Sequence, residues 1–65
     1  MKLPEKLKKY RESRGFTQEQ FAEVAGVSRQ LISRMELGEI TPSLNVARRI
    51  ADVLNITIDE LVRED

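Results

Sequence analysis

Four polar side chains in one short segment carry hydrogen-bonding groups that match the edges of nucleotide bases: Arg29, Gln30, Ser33 and Arg34. An arginine can donate two hydrogen bonds to O6 and N7 of guanine, and a glutamine can pair in the same bidentate way with adenine. On a helix of about 100° per residue with Ile32 pointing inward, all four face outward or flank the buried side. Any amphipathic helix also needs a polar outer face, so base contact and simple solvation both stay open here.

The elements that would position these side chains are two short helices within residues 17–36. Thr17 opens the first as an N-cap, Gly26 ends it with a left-handed turn, and Ser28 caps the second. Ala22 is expected where the two helices cross, because a larger side chain would force them apart. The connection is three or four residues long, and the segment therefore predicts a helix-turn-helix.

A helix before this pair is predicted from Leu3 to Arg14, with Pro4 tolerated in its first turn and Gly15 closing it. One side of this helix carries Leu3, Leu7, Tyr10, Arg11 and Arg14. Between it and the pair, Phe16 and Phe21 have the spacing of a hydrophobic staple, and Gln20 has the spacing to complete a capping box with Thr17.

Two more helices are predicted after the pair, and no segment alternates with the period of a strand. Ser43 caps the fourth helix after Pro42, and Asn55 is suited to end it. Its apolar stripe is expected to contain Leu44, Ala47, Ile50, Ala51 and Leu54. A second capping box, Thr57 with Glu60, opens the last helix. The residues expected to cover the bottom of the core from this helix are Ile58, Leu61 and Val62.

Composition restricts what 65 residues can do. The length predicts a single domain over residues 1–65 that buries only about 60% of its unfolded surface. The absence of cysteine and histidine removes disulfides and the usual ligands of zinc or iron–sulfur sites, so no metal and no cofactor is predicted. No serine or threonine has a histidine base, so no catalytic residue is assigned. Apolar runs never exceed three residues, and a soluble, cytoplasmic protein without a membrane partner is expected.

Charge is balanced overall, with 11 basic and 11 acidic side chains, but it is unevenly distributed. Residues 1–14 carry six basic against two acidic groups, residues 15–49 carry four of each, and residues 50–65 carry one against five. Lys6 and Lys9 in the basic beginning are candidates for phosphate contact, with solvation the equal alternative. The acidic end is interpreted as a solvated face.

The motifs together resemble the phage Cro and cI-repressor type of helix-turn-helix domain, also called the XRE family, from Leu7 to Val62. The motifs that carry this resemblance are residues 14–22 (RGFTQEQFA), 25–30 (AGVSRQ), 32–38 (ISRMELG), 42–44 (PSL) and 47–54. The resemblance implies an all-α fold, a compact five-helix bundle of the lambda-repressor-like type with the helix-turn-helix in its second and third helices.

The resemblance also implies roles for individual side chains. Gln18 lies near a phosphate, and Arg11 pairs with Glu36 to tie the first helix to the third. The positions that face the DNA groove are Ser28, Arg29, Gln30, Ser33 and Arg34. Apart from the resemblance, Thr17 and Ser43 are candidates for contact with DNA through their hydroxyl groups, and for Ser43 the role of helix cap is preferred.

Two positions depart from the family pattern. Glu39 stands where relatives commonly carry a basic residue, and Leu37 where they often carry a polar one. A carboxylate in this loop repels phosphate, which puts loop contact with the backbone in doubt. Thr41 and Asn45 could still donate to phosphate, but their roles in turns and caps are preferred. Leu31 flanks the buried side, where it either touches a thymine methyl or packs against the second helix.

Two functions are weighed. The first is a sequence-specific DNA-binding transcriptional regulator, a repressor, that places its third helix in the major groove of a palindromic operator as a homodimer; double-stranded DNA is then the partner and no small-molecule substrate is expected. The alternative is an antitoxin or protein-docking module, which the neutral charge and Glu39 favour. The candidate dimer contacts are Val46, Val53 and Ile56 together with the last helix, and packing inside the monomer is preferred.

Overall fold

The computed structural model describes residues 1–63 and shows an all-α bundle, as predicted. Its five helices are α1 (Leu3–Ser13), α2 (Gln18–Ala25), α3 (Arg29–Glu36), α4 (Leu44–Leu54) and α5 (Ile58–Val62). None of them is long and apolar enough to cross a membrane. Two residues of the predicted acidic end, Glu64 and Asp65, lie outside the described residues.

All five helices begin where the sequence predicts, and at four of these starts a hydroxyl oxygen accepts a hydrogen bond from an exposed backbone N–H. Thr17, Ser28, Ser43 and Thr57 each accept a hydrogen bond from the amide three residues later, over 3.0–3.3 Å. At Thr17 the capping box is complete, since the Thr17 N–H donates to the Gln20 side chain. At Thr57 only the hydroxyl half of the predicted box forms.

The ends of α1, α2 and α4 lie within one residue of the positions that the sequence predicts. Gly26 and Asn55 end α2 and α4 in the left-handed conformation, with φ of 73° and 58°. Ser13 ends α1 one residue before the predicted Arg14, and α3 stops at Glu36 with Leu37 as its cap. Each left-handed residue lets the chain reverse direction and pack the next helix against the core.

The core contains residues from every helix: Leu7, Phe21, Ala22, Ile32, Met35, Ala47, Ile50, Ala51, Leu54 and Leu61. Val46, Val53 and Ile56 are half-buried against it, in agreement with packing inside the monomer. Two core predictions are wrong, because Leu44 is 64% exposed and Val62 is 47% exposed. Both lie at the ends of their helices, where the apolar periodicity continues but the neighbouring helices no longer cover it.

Lys6 is the third misplaced residue, because it is a buried side chain and not a solvated one. Only 5% of it is exposed, and its ammonium group donates to the backbone carbonyls of Glu60 and Arg63. The Glu60 carbonyl belongs to the last turn of α5 and the Arg63 carbonyl directly follows the helix, and neither oxygen has a partner within α5. Lys6 therefore fastens α5 to α1, and the prediction that it contacts phosphate is wrong.

Candidate nucleic-acid interface

The helix pair α2 and α3 is held by small and fully buried side chains. Ala22 is buried where α2 meets the core, and Val27 in the connecting turn is half-buried against the same core. Ile32 and Met35 bury the inner side of α3, which also packs against α1. The three residues between the helices and the left-handed Gly26 agree with the predicted helix-turn-helix.

A buried ion pair joins the end of α3, at Glu36, to α1, at Arg11. The Arg11 guanidinium donates to both carboxylate oxygens of Glu36, over 2.6 and 3.1 Å, and to the Phe16 carbonyl over 2.7 Å. The exposed fractions of the two charged side chains are only 8% and 5%. The hydrogen bonds to Glu36 raise the pKa of the Arg11 guanidinium above its ordinary value. The pairing that the resemblance implied is confirmed.

Gln18 joins this ion pair. Its side-chain amide donates to the same Glu36 oxygen that receives Arg11 Nη2, over 3.1 Å. The hydrogen bond uses one N–H of the amide and leaves the second N–H and the amide oxygen for other partners. Glu36 thus connects α1, the start of α2 and α3, and sets the orientation of Gln18.

The side chains predicted to contact DNA line three neighbouring depressions. The first is lined by Thr17, Gln18 and Arg29 together with Arg11 and Glu19, the second by Arg29, Gln30 and Ser33, and the third by Gln30, Ser28 and Arg34 with Leu31 and Ile40. Shared residues join them into one surface, called the α3 surface below. It consists of seven of the eight predicted residues: Thr17, Gln18, Ser28, Arg29, Gln30, Ser33 and Arg34.

Three side chains of the α3 surface have unused hydrogen-bonding capacity. Arg29, Gln30 and Arg34 are exposed, and within residues 1–63 none of their side chains takes part in a hydrogen bond or ion pair. Ser33 is half-buried between them. Two guanidinium groups and one amide are therefore presented together on a rigid helix, where an external partner can reach them.

The capping hydroxyls have a different status. Thr17 and Ser28 accept backbone N–H groups but keep their own hydroxyl protons, so each can still donate to a phosphate oxygen. Ser43 also caps a helix, yet it lines none of the depressions of the α3 surface. The structure thus separates Ser43 from the other predicted site residues.

Two residues beside the α3 surface were not predicted as part of the site. Glu19 brings a carboxylate into the first depression, next to Gln18. Ile40 lines the third depression and lies two residues after the left-handed turn at Gly38. Only the turn at Gly38 signals this return in the sequence, and a turn alone does not indicate which side chain it delivers.

Comparison with known proteins supports the same family. Residues 7–61 match a helix-turn-helix family model. The chain is 39% identical over 56 residues to the uncharacterized HTH-type transcriptional regulator YazB of Bacillus subtilis, which covers 86% of this chain and 81% of YazB.

Two solved structures have the same fold. The P22 c2 repressor, crystallised with a synthetic operator, superposes with a TM-score of 0.93 over 100% of this chain and 98% of the repressor, at 23% identity. The restriction-modification controller protein C.AhdI of Aeromonas hydrophila gives a TM-score of 0.86 at 29% identity, over 91% and 89% of the two chains. With the motifs and the paired helices, these matches place the chain in the XRE helix-turn-helix family of DNA-binding transcriptional regulators, which are not enzymes.

Proposed function

We propose that this regulator inserts α3 into the major groove and recognises a specific DNA sequence with Arg29, Gln30 and Arg34. The observation that carries the proposal is that these three exposed side chains have no partner within residues 1–63, while the opposite side of the same helix is fixed by Ile32 and Met35. The fixed helix favours base contacts, because the backbone that carries these donors is already ordered and only the side chains lose freedom when they bind. Ser33 and Ser28 lie close enough to take part.

Phosphate contacts would flank the base contacts. Gln18, oriented by Glu36, and the hydroxyl proton of Thr17 are the proposed donors, since both lie at the start of α2 beside Arg29. Such contacts fix the register of the protein on the duplex without reading sequence. Ser43 remains a more distant proposal for the same role, because a helix N-terminus favours an anion.

The length of α3 supports the proposal of a homodimer on a palindromic operator. Eight residues extend about 12 Å, which spans only about four base pairs. A site this short recurs too often in a genome to be specific, whereas two copies of α3 about 34 Å apart would read two half-sites on one face of the duplex. The Cα atoms of one copy span 27 × 24 × 21 Å, so two adjacent copies suit this separation.

Repression is the proposed outcome of binding. Occupancy of a promoter blocks polymerase by itself, whereas activation needs a further surface that contacts polymerase. In this proposal the whole chain over residues 1–65 acts as one DNA-binding domain in the cytoplasm. A reporter gene behind the selected operator tests the sign of regulation, because repression lowers its expression when the protein is present.

The decisive experiment is enrichment of randomised duplexes on the purified protein, repeated with Arg29→Ala and with Arg48→Ala. Arg48 is an exposed arginine on α4 that lines no part of the α3 surface, so its variant loses the same charge elsewhere. We expect an enriched inverted repeat, with Arg29→Ala costing about 1–3 kcal/mol at one base pair. Equal losses on selected and random DNA, or equal losses in both variants, would refute base reading.

A protein-docking or antitoxin role is the second candidate. Glu19 and Glu39 favour it, because one carboxylate lies beside the proposed phosphate contact and the other is exposed in the loop after α3. Capture from cell extract before and after nuclease treatment separates the two functions, since a protein partner remains bound when DNA is destroyed.

A further inference from the structure

Two apolar side chains interrupt the polar α3 surface. Leu31 and Ile40 are half-buried and line the same depression as Gln30 and Arg34. Part of each side chain packs against the core, and the remainder faces the depression. The packing accounts for the buried part only, so the exposed part is available to an external apolar group.

The chemistry of the major groove restricts what that group can be. The edges of the four bases present hydrogen-bond donors and acceptors, and only thymine adds an apolar group, the C5-methyl. Two half-buried side chains expose far less apolar area than the roughly 800 Å² that a protein partner covers, so a single small apolar group suits them. Gln30 and Arg34 in the same depression place the apolar pair next to groups that bind base edges.

We infer that Leu31 and Ile40 bind the C5-methyl group of a thymine adjacent to the base contacted by Gln30 or Arg34. This inference rests on the proposed function, and it adds a preference for thymine that hydrogen bonding alone does not provide. Removal of water from one methyl group corresponds to about fourfold in affinity. Each half-site of the selected operator should therefore contain one thymine at which the methyl group itself is recognised.

Replacement of thymine by uracil tests this, because the change removes the methyl group and leaves the hydrogen-bonding pattern unchanged. The selected duplex is synthesised with uracil at one thymine position of each half-site at a time, and its affinity is measured by fluorescence anisotropy. We expect about fourfold weaker binding at one position and little change at the others. If uracil is tolerated at every position, the inference is overturned while the proposed function stands.

The side chains are assigned by measuring the ratio of thymine to uracil affinity in Leu31→Ala and Ile40→Ala. A ratio taken within one variant cancels any loss of folded protein, which matters because both side chains contribute to packing. The ratio should fall toward one in these variants and stay near four in Leu44→Ala, since Leu44 is exposed and lies outside the depression. A ratio that stays near four in all three variants overturns the assignment. Failure to enrich any duplex overturns the proposed function as well.

Discussion

Glu36→Ala should destabilise the protein more than any other substitution of an acidic residue within residues 1–63. The change removes the acceptor of three hydrogen bonds, two from Arg11 and one from Gln18, over 2.6, 3.1 and 3.1 Å. It also leaves the Arg11 guanidinium with 8% exposure and without its principal counter-charge. Loss of one partner of a buried pair costs about 3–5 kcal/mol, because the remaining charge cannot regain its hydration.

The lower end of that range applies here. In Glu36→Ala, Arg11 keeps its hydrogen bond to the Phe16 carbonyl and lies 4.0 Å from the exposed carboxylate of Glu12. Its charge therefore retains part of its stabilisation. We expect a loss of about 3 kcal/mol in the free energy of unfolding, against a total of about 3–10 kcal/mol for a chain of this size. The melting temperature should fall by about 12–24 °C.

Urea denaturation followed by circular dichroism measures this loss, with Glu23→Ala as the control. Glu23 is an exposed glutamate on α2, and its replacement should change the stability by no more than about 0.5 kcal/mol. The double variant Arg11→Met, Glu36→Leu should recover most of the stability, since an apolar pair leaves no buried charge. A cost below about 1 kcal/mol for Glu36→Ala, or a double variant no more stable than the single one, would refute the reasoning.

The Arg11–Glu36 pair should stabilise the protein with little dependence on salt and on pH near neutrality. A pair with 5–8% exposure is screened little by salt, so the cost of Glu36→Ala should persist in 1 M sodium chloride. Glu36 raises the pKa of Arg11, and a raised pKa gives stability that is present at lower pH and is lost only as pH rises through the folded-state value. Because arginine titrates in strong alkali, the contribution of Arg11 should stay constant from about pH 6 to about pH 9.

Two further substitutions test the positions of individual residues. Lys6→Met should lower the free energy of unfolding by about 1.5–3 kcal/mol, because it removes charged hydrogen bonds to the end of α5, and it should leave the salt dependence of DNA binding unchanged. Lys9→Met, on the exposed side of α1, should leave the stability nearly unchanged and reduce the slope of log affinity against log salt by about one. Gly26→Ala should cost about 1 kcal/mol in thermal unfolding because its φ is 73°. Gly15→Ala is its control, since φ is 77° there and an added Cβ would meet no neighbour within 4 Å. At Gly26 an added Cβ would lie 3.4 Å from Nη1 of Arg49, a side chain of α4 that donates to the Gly26 carbonyl over 3.2 Å. A cost at Gly26 that exceeds the cost at Gly15 by more than about 1 kcal/mol would mean that the Arg49 side chain cannot move aside.

The positions of the helices could be predicted because their causes are local. A hydroxyl three residues before an amide, or a glycine after an apolar stripe, acts within one turn of the chain, and the starts at Thr17, Ser28 and Ser43 are confirmed. Leu44 shows where this reasoning ends, because burial depends on whether another helix reaches the position. Periodicity identifies the side of a helix that is apolar but gives no information on how far its neighbours extend.

Long-range contacts of polar groups were harder to predict. Lys6 lies 54 residues from Glu60 in sequence, and a lysine in a basic segment gives no sign that helix carbonyls will be packed over it. Gln18 was placed near a phosphate by resemblance alone, and its hydrogen bond to Glu36 depends on three elements meeting at one carboxylate. Ile40 reached the α3 surface through a loop whose path has no periodic signal.

Polar side chains differ in their contacts between the buried side of α3, called its rear here, and its exposed side, called its front. At the rear, the carboxylate of Glu36 is satisfied by Arg11 and Gln18, so its replacement should affect stability first and DNA binding only through α3 orientation. At the front, the side chains of Arg29 and Arg34 have no hydrogen-bond or ion-pair partner within residues 1–63, so folding gains little from their guanidinium groups beyond the interaction of Arg34 with the C-terminal end of the α3 dipole. Substitutions at the front should therefore leave the melting temperature nearly unchanged while they alter recognition. Since stability does not explain these side chains, solvation of an exposed helix face and contact with an external ligand are the two explanations left, and the selection experiment with Arg29→Ala and Arg48→Ala distinguishes them.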